Sequence, residues 1–186
     1  MNLFSAILVI TSFTLFYHDQ SFAEPNPKEG SAFAVYIEND SRNMAGPGSD
    51  QAYTNGLKLS YIYANNQIPR WAEKTALKLN YFDRGISSSK VNFGLSVGHQ
   101  IFSPNNTYLT ELIPYDRPYA GWLYTGFAVS LKQDDTAQFF EFDIGLIGPS
   151  ALGKQVQNNF HDLIRTRRAE GWQHSLNDEP TLQLFY

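Results

Sequence analysis

Apolar and polar residues alternate with a period of two in several stretches of this chain, which is the pattern of a half-exposed β-strand. In 52–63, Tyr53, Leu57, Leu59, Tyr61 and Tyr63 share one face, with Thr54, Gly56, Lys58 and Ser60 on the other. The pattern returns in 91–101, where Val91, Phe93, Leu95, Val97 and Ile101 oppose Asn92, Gly94, Ser96, Gly98 and Gln100. It returns again in 121–131 and in 139–146, where Phe140, Phe142, Ile144 and Leu146 oppose Glu141, Asp143 and Gly145. Residues 32–39 and 181–186 read as two further strands. The polar faces decide the class. Gly, Ser, Asn, Asp, Glu and Lys would crowd a sandwich core with unpaired groups, but they suit a hydrated barrel lumen. The expected fold is an all-β, antiparallel transmembrane barrel of the outer-membrane type, with Lys58 and Glu141 pairing inside it.

The connections set the topology. With the exported N-terminus in the periplasm, 32–39 rises, 52–63 descends, 91–101 rises, 121–131 descends and 139–146 rises. The polar turn 132–136 is short, as periplasmic turns are. The connection 65–90 is long for such a turn. Within it Trp71, Thr75 and Leu79 fall at helical spacing and predict a short helix against the membrane or the barrel base. After Gly148-Pro149, residues 155–164 read as a second short helix in an extracellular loop. It sets Gln157 and His161 one turn apart on one face, and Val156, Phe160 and Leu163 on another. Six strands fall short of the eight with which single-chain barrels begin, and an open sheet in lipid would expose unpaired backbone groups. The sequence therefore reads as an incomplete portion of a barrel.

Composition narrows the partners. With 14 basic and 18 acidic residues the chain carries a net charge of −4 and no basic stripe, which argues against nucleic acid. Cysteine is absent, removing disulfides, thiolate metal sites and a thiol nucleophile together. Aromatic residues make up 15%, with 11 Tyr and 14 Phe, as interfacial belts of outer-membrane barrels require. The first 23 residues read as a signal peptide: Leu3–Leu15 is almost continuously apolar, and Ser21 and Ala23 supply small residues before the cleavage point. Residues 24–186 are then the barrel portion, placed in a bacterial outer membrane.

Strand direction brings Asn39, Asp40, Thr54, Gln157 and His161 to the same external end, where polar residues distant in sequence form a candidate site. The blocks around them are Glu38-Asn39-Asp40, Tyr53-Thr54-Asn55-Gly56-Leu57, 116–122 (Asp-Arg-Pro-Tyr-Ala-Gly-Trp), Gly148-Pro149, Gln155-Val156-Gln157-Asn158, His161 and Gly171-Trp172. In this order, between barrel strands, they resemble the outer-membrane lipid A 3'-O-deacylase family across residues 32–180, the N-terminal half of its fold. The resemblance implies hydrolysis of a fatty-acyl ester on lipid A, with calcium as cofactor and the outer leaflet as the place of reaction. It makes His161 the base that activates water, with Gln157 beside it. Asn39, Asp40 and Thr54 would bind the metal or position the ester.

The chemistry is coherent. A neutral imidazole can take a proton from water near neutral pH, and calcium prefers the oxygen donors that Asn39, Asp40 and Thr54 offer. No Gly-x-Ser-x-Gly elbow is present for a serine acyl-enzyme. Two positions depart from the family. Residues 102–119 contain no Lys where a member of the family carries a functional one, and Arg165, Arg167 and Arg168 stand where that relative has an acidic residue. Those arginines are either a solvated helix face or contacts for lipid A phosphates. Tyr119 and Trp122 are expected in the aromatic belt, Asp116-Arg117 in an ion pair and a turn, and His99 at the rim. A non-catalytic or degraded barrel and a barrel phospholipase are the competing readings.

Overall fold

Small polar residues alternating with aliphatic ones produce one continuous sheet, because every strand can bury one face only by curling it away from lipid or water. The computed structural model describes residues 5–10, 30–39, 55–64, 67–79, 90–133 and 136–186. Its strands are β1 (Ser5–Ile10), β2 (Ala32–Asn39), β3 (Asn55–Ile62), β4 (Lys90–Phe102), β5 (Ala120–Gln133), β6 (Thr136–Ile147) and β7 (Glu179–Phe185), neighbouring each other in chain order. β2 to β7 form an antiparallel up-and-down sheet, as the alternation required. β1, inside the stretch that reads as a signal peptide, lies parallel to β2 and stands outside that meander.

Register shows how cleanly the two faces separate. One row across the sheet is Val35, Leu59, Val97, Thr125, Ile144 and Leu182. A neighbouring row on the opposite face is Ser60, Ser96, Gly126 and Asp143. The apolar face is the outer wall: Val97 is 53% exposed and Ile144 47%. The polar face is concave and buried, and there Lys58 Nζ donates to Glu141 Oε1 at 2.6 Å. Ser60 Oγ, Ser96 Oγ and Asp143 Oδ1 face the same concavity without a protein hydrogen-bond partner, which suits a wet lumen.

Two helices sit on this sheet. α1 (Arg70–Leu79) follows β3 at the end we call the base, and α2 (Gly153–Leu163) follows β6 at the opposite end, the rim. α1 packs on the outer wall through Ala72 and Ala76, against Phe93, Val129 and Leu131. The helix is where its spacing put it, but the Trp71–Thr75 side is not the one that packs: both residues are exposed. Alanine lets the helix axis come close to a wall already filled by large side chains, and Trp71 then reaches Phe93 and Phe127 edge-on from the flank.

The belt expectation also needs correction. Trp122 belongs to the inward row, stacked on Tyr124 with ring centroids 4.2 Å apart, and its Nε1 donates to Thr181 Oγ1. Tyr119 is buried beside Trp172 and donates from its hydroxyl to the Thr107 carbonyl. Neither faces lipid.

Candidate active site

The site is built where α2 lands on the rim of β4 and β5. Gly148, with φ of 120°, turns the chain out of β6, and Pro149–Ala151 form one 3-10 turn. Asp178 clamps that turn, accepting from the Ser150 backbone N–H at 2.8 Å and its hydroxyl at 2.6 Å. These bonds hold the Asp178 carboxyl below the usual carboxylate range. His99, on the outer face of β4, donates through Nε2 to the Ala151 carbonyl at 2.7 Å and pins the turn from below. The rim role expected of His99 is thus a structural one.

Contact between helix and wall is closer than any side chain would permit. A Cβ on Gly121 would come 2.9 Å from the Gly153 nitrogen, and one on Gly153 would come 2.6 Å from the Trp172 ring. Glycine at both positions lets the first turn of α2 lie directly on β5. Ile101, Tyr119, Ala169 and Trp172 close an apolar plug beneath it.

The buried face of α2 is Gly153, Gln157 and His161, as the one-turn spacing required. Gln157, 3% exposed, has both ends of its amide engaged: Nε2 donates to Ser103 Oγ at 3.2 Å, and Oε1 accepts from Trp172 Nε1 at 2.8 Å. It therefore has the bonding of a group that fixes the helix on the wall. His161, 7% exposed, has Nδ1 2.8 Å from the Arg167 carbonyl. A carbonyl only accepts, so in the neutral ring this bond places the proton on Nδ1 and the lone pair on Nε2.

The carbonyl reaches His161 because the chain doubles back after the helix. Arg165 takes a left-handed conformation, φ 56°, and the Thr166 N–H donates to the His161 carbonyl at 2.9 Å. Asn158 then holds the returning chain at Ala169 through both of that residue's backbone groups: Nδ2 donates to the Ala169 carbonyl and Oδ1 accepts from its N–H. The three arginines lie beyond the end of α2. Arg168 pairs with Asp162 in a two-bond fork, lowering the Asp162 pKa chiefly through the hydrogen bond. Arg167 pairs with Glu170 and lies over the Tyr108 ring. Asp116 accepts from the backbone N–H groups of Asn105 and Arg117, shaping the turn before Tyr119.

Asn39 ends β2 at the same rim. It opposes Asn55, which opposes Ile101, which opposes Gly121 beneath α2. Three strand spacings separate Asn39 from that point, roughly 14 Å. Asp40 and Thr54 lie outside the described residues. Among the described residues no group of three or more His, Cys, Asp or Glu is placed to hold a metal.

Comparison with known proteins decides the family. The chain matches the family described as outer membrane protein LpxR over residues 3–186. It belongs to the LpxR family. The structure also matches LpxR from Salmonella typhimurium with a TM-score of 0.60 at 21% identity, over 81% of this chain and 47% of that one. At that identity the match speaks for the fold, and this chain spans about half the length of the solved relative. No curated protein matches. Within the LpxR fold, sequence reasoning had passed over Ser103, Trp172 as a hydrogen-bond donor and the Arg167 carbonyl. Trp172 lay in a quoted block, but a backbone carbonyl carries no signal in a sequence.

Proposed function

We propose that this chain forms part of an outer-membrane hydrolase that removes a fatty-acyl chain from lipid A by 3'-O-deacylation. The observation that carries the reading is His161, buried between α2 and the rim of an apolar wall with Nδ1 held by a carbonyl. A base in that seam lies beside the surface along which an acyl chain would run, so the ester reaches it without leaving the lipid. His161 Nε2 takes a proton from water, the hydroxide adds to the ester carbonyl, and the sugar oxygen leaves with the proton that Nε2 returns. Gln157, Ser103 and Trp172 hold the helix, and hence the imidazole, against the wall.

Calcium is the cofactor we assign. Asn39 and Asp40 supply the neutral and anionic oxygen donors that a hard cation takes, and Thr54 adds a hydroxyl, so the donor chemistry fits. When bound, the ion would stabilise negative charge on the ester oxygen. Lipid A of the outer leaflet is the substrate, and export through the N-terminal signal brings the protein to it.

The test is to place the purified protein in vesicles containing lipid A and follow the lipid by mass spectrometry. Loss of one 3'-linked acyl group, stopped by a strong chelator and restored by calcium, is the expected result. Release of acyl chains from phospholipid instead would turn the reading into a phospholipase. Full deacylation in chelator would remove calcium from the mechanism.

A further inference from the structure

α1 lies on the lipid-facing side of the barrel wall, yet its own outer surface is charged. At 100° per residue, Arg70, Lys74 and Lys78 form one stripe directly opposite the buried Ala72 and Ala76. All three are exposed, and none makes an ion pair among the described residues. Glu73 lies to one flank. Trp71, 55% exposed, lies to the other with its ring against Phe93 and Phe127. The helix is therefore apolar toward the protein, aromatic along one edge and basic toward whatever surrounds the barrel.

A stripe of three cations cannot face hydrocarbon, and a ring half-covered by the wall sits best where lipid meets water. We propose that α1 is an interfacial helix that fixes the base of the barrel at the headgroup level of one leaflet by binding anionic phospholipid through Arg70, Lys74 and Lys78. The occupant is the bilayer surface for two reasons. The wall beside the helix continues as the bare apolar band of Leu59, Val97 and Ile144, which is a lipid-facing surface. The charge on the stripe is complementary to phosphate, and such basic interfacial faces bind anionic lipid. α1 stands at the opposite end of the strands from His161, so this leaflet is the one that does not carry the substrate. The inference rests on the outer-membrane placement above.

Two nitroxide labels test it, and the absence of native cysteine makes each label unique. Carried on Lys74→Cys and, separately, on Val97→Cys in the full chain, they are read by depth-dependent relaxation in bilayers of phosphatidylcholine and phosphatidylglycerol. Val97→Cys should lie in hydrocarbon and Lys74→Cys at phosphate depth. A spin-labelled phosphatidylglycerol should also be preferred over phosphatidylcholine at the protein surface. With Arg70, Lys74 and Lys78 all changed to Gln, that ratio should fall to about 1. These side chains point away from the wall, so heat-modifiable migration should stay unchanged. Val97→Cys in hydrocarbon with Lys74→Cys in bulk water, or immobilised against protein, overturns the inference and leaves the barrel standing. An undiminished lipid preference in the triple variant also overturns it. Val97→Cys in water would overturn the membrane placement itself.

Discussion

The two helices occupy opposite ends of the same outer wall and are held there by different forces. α1 buries alanines against Phe93, Val129 and Leu131, apolar side chains with no hydrogen-bonding group of their own. α2 buries Gly153, Gln157 and His161, and on that face both ends of the Gln157 amide and His161 Nδ1 are tied to Ser103, Trp172 and the Arg167 carbonyl. Apolar packing tolerates sliding and repacking, whereas buried hydrogen bonds tolerate neither. A protein that needs only to attach a helix uses the first kind of contact. The second kind places one imidazole, and its cost is justified only where position matters.

The largest expected difference between the two regions is in turnover. His161→Ala should slow deacylation by about 10²–10⁴-fold, the usual worth of a positioned acid–base group, while the barrel stays folded because His161 belongs to neither apolar core cluster. Fatty-acid release and heat-modifiable electrophoretic migration measured together check this. Near-normal turnover in that variant would leave the buried polar face of α2 without a catalytic purpose.

Ala76→Leu is the matching change in α1. Overpacking that fully buried contact should cost about 1–3 kcal/mol and lift the helix from the wall, seen as faster proteolysis within residues 67–79, with deacylation unchanged. Loss of activity in this variant would show that the two ends of the wall are coupled, against the separation drawn here.

Trp172→Phe keeps the ring against Tyr119 but removes the donor to Gln157, leaving a buried amide oxygen unpaired at a cost of about 1–3 kcal/mol. Adding Gln157→Leu should then cost less than it does alone, with a coupling of about 0.5–3 kcal/mol in a double-variant cycle of denaturant midpoints. Strict additivity would mean that the bond contributes nothing.

The smallest effect concerns pH. Because Arg168 holds the Asp162 pKa below its ordinary 3.8, their pairing contributes at any pH above that value and is lost as pH falls through the depressed one. Amide exchange in residues 162–168 should therefore quicken on acidification below that range, and Asp162→Asn should remove the pH dependence. An unchanged acid response in Asp162→Asn would assign it to another group.

Much of this was readable from residue order. The Lys58–Glu141 pair follows from strand parity once both residues are put on inward faces, and 2.6 Å is the result. Strand parity could equally have placed Trp122 inside, but the habit of tryptophan at membrane interfaces outweighed it. In α1 the large Trp71 drew attention from Ala72 and Ala76, although small residues are the ones that permit close approach. The sequence points to Arg167 only through its guanidinium, while its carbonyl is what touches His161.

The alternation of apolar and small polar residues by itself determined strands with one apolar and one polar face, since a period of two puts successive side chains on opposite sides of a sheet. The one-turn spacing of Gln157 and His161 likewise determined that they share a helical face. Which way that face points was decided by tertiary contacts alone. Glycine at 121 and 153 allowed the helix to touch β5, and the return of the chain through Arg165 brought a carbonyl under the imidazole. Both depend on close approach between segments far apart in the chain or on a backbone atom common to every residue, and neither leaves a periodic trace in the sequence.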